Sequence, residues 1–184
     1  MEVPPPVKSR ERWLEDYELR LVWNNSFDNH PCFGPIVRLL MVLGQRREEV
    51  SGLDWSELRR SERSWILPGA RTKNGEPNFI PLNDLAIEEL DRLAGGEDWP
   101  WEGRVFATET GGRYTGYSKG KNRLDQLVME ASGSALRPWR LHDLRRTLAT
   151  GFQRLGVRFE VTEAVMNHVS GSRAGVAGIY QRHD

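Results

Sequence analysis

Residues 31–44 read PCFGPIVRLLMVLG, a stretch whose one charged side chain, Arg38, stands among Phe, Ile, Val, Leu and Met. A helix this apolar has no face to offer water, so it must lie buried with other elements packed on it. Gly44 closes it, because glycine enters the left-handed turn after a helix without a steric penalty. Arg46, Arg47, Glu48 and Glu49 follow at once as a short helical turn. A charge run usually makes a solvated face, but one placed directly after a buried helix has some of its charges drawn inward.

The second constraint comes from residues 141–155, LHDLRRTLATGFQRL. At about 100° per residue, Leu141, Leu144, Leu148, Phe152 and Leu155 fall on one apolar stripe that must face a core. Arg145 lies at the margin of that stripe with His142 next to it, Arg146 lies farther toward solvent, and Arg154 is nearly opposite. Arg145 is therefore expected half-buried. A half-buried guanidinium needs partners, and either protein carboxylates or a bound anion supply them; the local sequence leaves both open.

The remaining segments give an α+β arrangement, mainly α, with a small three-stranded antiparallel sheet. LEDYELRLVWNN reads as a first helix with Leu14, Leu21 and Val22 among its apolar positions. WSELRR, SWILP and NFIPL are short and strand-like, and Asn74-Gly75 between the last two is a hairpin signal that puts Lys73 at the tip. DLAIEELDRL is a capped amphipathic helix and EGRVFAT a short extended piece. GYSKGKNRLDQLVMEAS is a helix with Lys119 and Lys121 near its start, suited to backbone phosphates or simply to water. RFEVTEAVMNH is a helix ending at His168, followed by VSGSRAG and the last segment with Tyr180.

A length of 184 residues fits one compact unit with a real core. A mean hydropathy of −0.60 and the lack of a long apolar run exclude a membrane span. One cysteine, Cys32, excludes a disulfide framework and fits a reducing cytoplasm, where it reads as a small buried hydrophobe. Twenty-six basic and twenty-six acidic residues cancel, which argues against a uniformly basic nucleic-acid binder. All but four of the basic residues are Arg, the side chain for bidentate phosphate contacts, although a GC-rich coding sequence produces the same excess.

The chain lacks a Walker loop, a dinucleotide-binding glycine fingerprint, paired cysteines and a zinc-protease helix, so neither a metal nor a nucleotide cofactor is expected. What remains is a set of cations at element boundaries, Arg46, Lys73, His142, Arg145 and His168, with Tyr180 close behind. Such a set suits a phosphodiester whose charge grows during in-line displacement. Without a metal the site needs its own nucleophile, and a tyrosine attacking phosphorus conserves the bond energy in a covalent intermediate.

At these residues the sequence resembles the tyrosine recombinases, or phage-type integrases. LGQRREEVSGLDWSEL is similar to the first arginine motif of that family, TKNGEPNFIPL to its lysine hairpin, HDLRRT to its His-x-x-Arg box, and MNH followed by IYQR to its second histidine and terminal tyrosine. The resemblance runs from about Glu15 to the last residue. It implies a helical catalytic domain with a small sheet that cuts and rejoins DNA for integration or excision. Arg46 and Arg145 then clamp the non-bridging oxygens of the scissile phosphate, and Lys73 is general acid to the departing 5′ oxygen. His142 assists proton transfer or holds the phosphate, His168 donates to a non-bridging oxygen, and Tyr180 becomes a 3′-phosphotyrosine. Glu49 orients Arg46 or His142, while Arg71, Lys119, Lys121 and Arg146 are flanking DNA contacts.

The implied partners are duplex attachment sites and further protomers, tetrameric on DNA, in a bacterial cytoplasm. The implied organisation is a linker over 1–12 from an N-terminal DNA-binding region and a catalytic domain over 13–184 that stops soon after the tyrosine motif. Two departures from the family pattern stand out, Gln45 where an apolar residue is common and Asn167 where glycine is common. The run from His168 to Tyr180 is also longer than in many members, so VSGSRAG is expected to let Tyr180 swing from the site. A catalytically silent DNA-binding relative and a type IB topoisomerase are the competing readings.

Overall fold

The computed structural model describes residues 12–72, 75–108 and 111–167. Seven helices are seen there: α1 (Asp16–Asn25), α2 (Phe33–Leu43), α3 (Arg47–Ser51), α4 (Asp84–Ala94), α5 (Tyr117–Ser132), α6 (Leu141–Arg154) and α7 (Phe159–Val165). Three strands, β1 (Leu58–Arg59), β2 (Ser64–Leu67) and β3 (Asn78–Pro81), lie between α3 and α4.

Helix α2 is the element on which α3, α4, α5 and α6 pack. Its side chains from Phe33 to Leu40 are buried around the whole circumference, as its composition demands. Gly44 ends it at φ +64, and a Cβ there would stand 2.3 Å from Cδ2 of Leu148 on α6. Glycine is thus required twice, for the left-handed turn and for the close crossing. On the other flank α5 approaches through Gly120, where a Cβ would fall 2.4 Å from Cγ of Phe33.

The one charge in α2 is paired. Arg38 donates through Nε and Nη2 to the two oxygens of buried Glu89 on α4, each at 2.7 Å, and through Nη1 to Ser26 Oγ at 2.9 Å. This bidentate geometry is what a buried guanidinium needs to offset its lost hydration. A second buried pair, Arg12 with Glu18 at 2.6 Å, fastens the start of α1. Arg12, the last residue of the stretch read as linker, therefore belongs to the folded part.

The sheet is antiparallel in the order β1-β2-β3. Its register puts Trp65 opposite Leu58 on one side and Ile80 on the other, and all three are buried on one face. One reading needs correction. WSE is a 3-10 turn over Trp55–Glu57, because Asp54 accepts from the Ser56 amide at 3.0 Å and caps it, so β1 begins only at Leu58. The β2–β3 connection spans residues 68–77 and includes a further 3-10 turn over Gly69–Arg71. The expected antiparallel hairpin of β2 and β3 is present with this longer connection, and Gly75 has the positive φ of +78 that its turn signal implied. Lys73 and Asn74 lie outside the described residues.

The apolar stripe of α6 meets the core only along its first turns. Leu144 is buried and Leu141, Leu148 and Phe152 are half-buried, but Leu155 is 80% exposed, contrary to the periodic reading. The physical reason is that α2 meets α6 with its end, at Gly44 beside Leu148. Helix α7 likewise stops at Val165, earlier than read, and Asn167 turns left-handed at φ +46. His168 lies outside the described residues. Among the described residues no helix is long and apolar enough to cross a membrane.

Candidate active site

The start of α6 is held by Asp143, which is buried and accepts from the Arg140 amide at 2.8 Å. This satisfies one of the free N–H groups at a helix start and sets the helical phase. From that phase His142 and Arg145, three apart, project together. Arg145 is 3% exposed, more deeply buried than its position on the stripe implied. Its Nη1 donates to Gly44 O at 2.6 Å and its Nη2 to Met166 O, so the guanidinium joins the ends of α2 and α7.

Arg46 approaches from the extended residue before α3. Its amide donates to Glu49 Oε2 at 2.8 Å and its Nη1 to Glu49 Oε1 at 2.9 Å, while Nη2 reaches Asn167 O at 3.3 Å. Glu49 is 3% exposed, and of the two partners weighed for it, Arg46 is the one it holds. Arg71 supports the same helix from the sheet side, donating to Glu49 O at 2.7 Å and pairing with Glu57, which also accepts from Trp65 Nε1 at 2.9 Å.

These groups share a cleft of about 790 Å³. Arg46, Arg71, Lys121, His142 and Arg145 line it, together with Glu49. Arg47 and Arg140, which the sequence reading passed over, line it as well. The Arg47 guanidinium lies 4.5 Å from the Tyr117 ring centroid. A signal for Arg140 was available in the Asp three residues on, the usual mark of a helix start. Lys119 is exposed on α5 and Arg146 half-buried on α6, both off the cleft lining. Lys73, His168 and Tyr180 lie outside the described residues.

Two carboxylates, Glu48 and Glu49, face six cationic side chains in the lining, and even with Arg71 and Lys121 answered from outside it by Glu57 and Asp125 the cleft keeps an excess of positive charge. Burial and the neighbouring Arg46 charge push Arg145 down to about 10, with Glu49 and Glu163 acting the other way. It is still protonated at neutral pH, and its hydrogen bonds go to neutral carbonyls. His142 is held below the ordinary imidazole value, first by desolvation and then by the charges of Arg146, Arg145 and Arg46, against the opposing pull of Asp143. An anion in this cleft would relieve both strains.

Lys121 is less available than its place near a helix start implied. Its ammonium pairs with Asp125 at 2.6 Å and sits 3.9 Å from the Trp139 ring centroid, and burial lowers its pKa. Tyr114 is buried, donates to Gly116 O at 2.9 Å and is pushed up to about 12 by burial, which disqualifies it as a ready phenolate. Among the described residues no cluster of three or more His, Cys, Asp or Glu is arranged to hold a metal ion.

Comparison with known proteins gives this geometry a lineage. The integrase of Salmonella phage P22 is 25% identical over 173 residues, covering 89% of this chain and 42% of that protein. The chain thus spans less than half the length of that relative. The Tn1549 transposon integrase, solved in complex with a circular intermediate DNA, superposes with a TM-score of 0.75 at 16% identity, over 88% of this chain and 59% of that one. A lambda integrase tetramer bound to a Holliday junction gives 0.64 at 17% identity, over 91% and 50%. These likenesses show a shared fold, mainly helical with a small antiparallel sheet. The profile of the phage integrase family matches residues 26–184, so the Arg46 and His142–Arg145 motifs and the cleft they line stand within that match, and the chain belongs to the phage integrase family.

Proposed function

We infer that this chain is the catalytic domain of a tyrosine-type site-specific recombinase, residues 12–184, with 1–11 leading in from a DNA-binding region. It acts on duplex attachment sites in the cytoplasm, assembled with other protomers as a tetramer. The observation that carries this reading is the pair Arg145 and Arg46. One is buried and bonded to backbone carbonyls and the other is steered by Glu49, and both line one positive cleft.

In the reaction, Tyr180 Oη attacks phosphorus and the bond from phosphorus to the 5′ oxygen breaks. Lys73 delivers the proton to that oxygen, and His142 accepts or relays the proton of the tyrosine. The two guanidiniums hold the non-bridging oxygens, where charge accumulates in the transition state, with His168 donating beside them. The 3′-phosphotyrosine keeps the phosphoester energy, so a 5′ hydroxyl from the same or a partner strand re-forms the backbone by the reverse attack. The relatives in complex with a circular intermediate DNA and with a Holliday junction support this class of exchange.

The test is covalent adduct formation on a nicked attachment site, resolved on a denaturing gel. Tyr180→Phe keeps the ring and removes the attacking oxygen, so binding survives and the adduct disappears. Wild-type adduct levels in that variant would overturn the assignment of the nucleophile. Binding without any adduct from the wild-type chain would favour the silent DNA-binding relative.

A further inference from the structure

Three successive carbonyls at the end of α7 are each taken by a different side chain of the cleft. Val165 O accepts from Gln45 Nε2 at 2.7 Å, Met166 O from Arg145 Nη2, and Asn167 O from Arg46 Nη2 at 3.3 Å. The last carbonyls of a helix have no partner within it and form the negative end of its dipole, so donors and cations suit them. Two of these three donors are the guanidiniums that the phosphate clamp requires. A phosphate entering the cleft draws the two guanidiniums toward itself and so weakens their hold on Met166 O and Asn167 O.

Gln45 is different in kind. It is neutral and 1% exposed, and its Nε2 also donates to Leu43 O at 2.9 Å, so one amide bridges the ends of α2 and α7. Two facing carbonyls can be answered only by the NH₂ end of the amide, which settles its orientation. Its Oε1 is buried without a hydrogen-bond partner among the described residues. An orphaned acceptor of this kind has lost its hydration and gained no partner in return. An apolar side chain avoids that cost, and here the two donated bonds offset it.

We propose that Gln45 is a positioning residue that keeps the end of α7 in register with Arg46 and Arg145 once a phosphate has drawn the two guanidiniums away from the carbonyls. The proposal rests on the phosphate-clamp reading given above. Without an anion, three donors hold α7. With one bound, the neutral donor keeps its hold while that of the guanidiniums weakens. Asn167 follows in the left-handed region, which Asn tolerates better than other non-glycine residues, so the chain turns sharply there. His168 is the next residue in sequence, and a slipped α7 end displaces that turn.

The test is hydrogen exchange of the Met166 and Asn167 amides, which donate to Thr162 O at 3.0 Å and Ala164 O at 3.1 Å. Wild type, Gln45→Met and Gln45→Lys are compared with and without inorganic phosphate. Gln45→Met keeps the length and removes the donors. Its exchange is expected within about threefold of wild type in plain buffer and at least about tenfold faster in saturating phosphate. Gln45→Lys restores a donor and returns exchange in phosphate toward wild type.

Equal exchange of wild type and Gln45→Met in phosphate would overturn the proposal, as would equal loosening in both buffers, the sign of a mere packing role. Phosphate binding is followed separately by the phosphorus resonance of the anion, with Arg145→Ala as control. If wild type binds no phosphate there, the clamp reading falls and takes the proposal with it. If it binds and Gln45→Met still matches wild type, Gln45 alone is wrongly assigned.

Discussion

Arg145 carries a full charge into the interior, where its hydrogen bonds reach Gly44 O and Met166 O. Replacing it with Ala removes one arm of the clamp, typically worth about 3 kcal/mol or more in the transition state, so single-turnover cleavage should fall by about 100-fold or more. The same change strands two carbonyls, and the urea midpoint should report a loss of about 1–3 kcal/mol. His142 makes a prediction of opposite character, because its folded-state pKa lies below the unfolded value. The unfolded chain then takes up the proton first, so stability declines as pH falls through about 6.5 and levels off below the folded-state pKa. Urea titrations of wild type and His142→Gln over that range should show this acid-side slope in the wild type alone. The partnership of His142 and Arg145 was legible from periodicity, since three residues on a helix fix it. The carbonyl partners of Arg145 were not, because Gly44 lies 101 positions away and offers backbone, which leaves no trace in residue type.

At the scale of elements, α2 is held by shape and by one ion pair. Arg38, Glu89 and Ser26 join α2, α4 and the end of α1, with the Phe27 ring 3.9 Å from the guanidinium. Glu89→Ala leaves that guanidinium buried and unpaired and should cost about 3–5 kcal/mol, whereas Arg38→Met combined with Glu89→Leu should recover much of the loss. Denaturant midpoints of the single and double variants check this, and a double variant as unstable as the single one would count against it. The sequence announced α2 through its composition but kept silent on Glu89, which sits in an amphipathic helix like any surface carboxylate. It was also silent on the partners of Lys121, whose charge is answered by Asp125 one turn along and by the face of Trp139. The aromatic partner comes from the segment before α6, and only packing brings it there.

Over the whole molecule, zero net charge resolves into ion pairs, two of them buried, and a cleft whose lining has an excess of cations. In the proposed mechanism those cations neutralise the phosphate themselves, so adduct formation on a nicked site should be unchanged in excess chelator. Loss of the adduct there, with recovery on adding magnesium, would refute that mechanism. The sequence by itself determined the elements and the candidate chemistry: a helix too apolar to face water, a glycine to end it, and a His and an Arg set three apart. These are local consequences of period and side-chain type, which act within a few residues. Tertiary structure alone decided how far Arg145 sinks, that Leu155 is left in water, and that the end of α7 is gathered by Gln45, Arg145 and Arg46. Each of these depends on where a second element's backbone ends. A helix end offers the same carbonyls whatever its sequence, so its partners become readable only once the helices are packed.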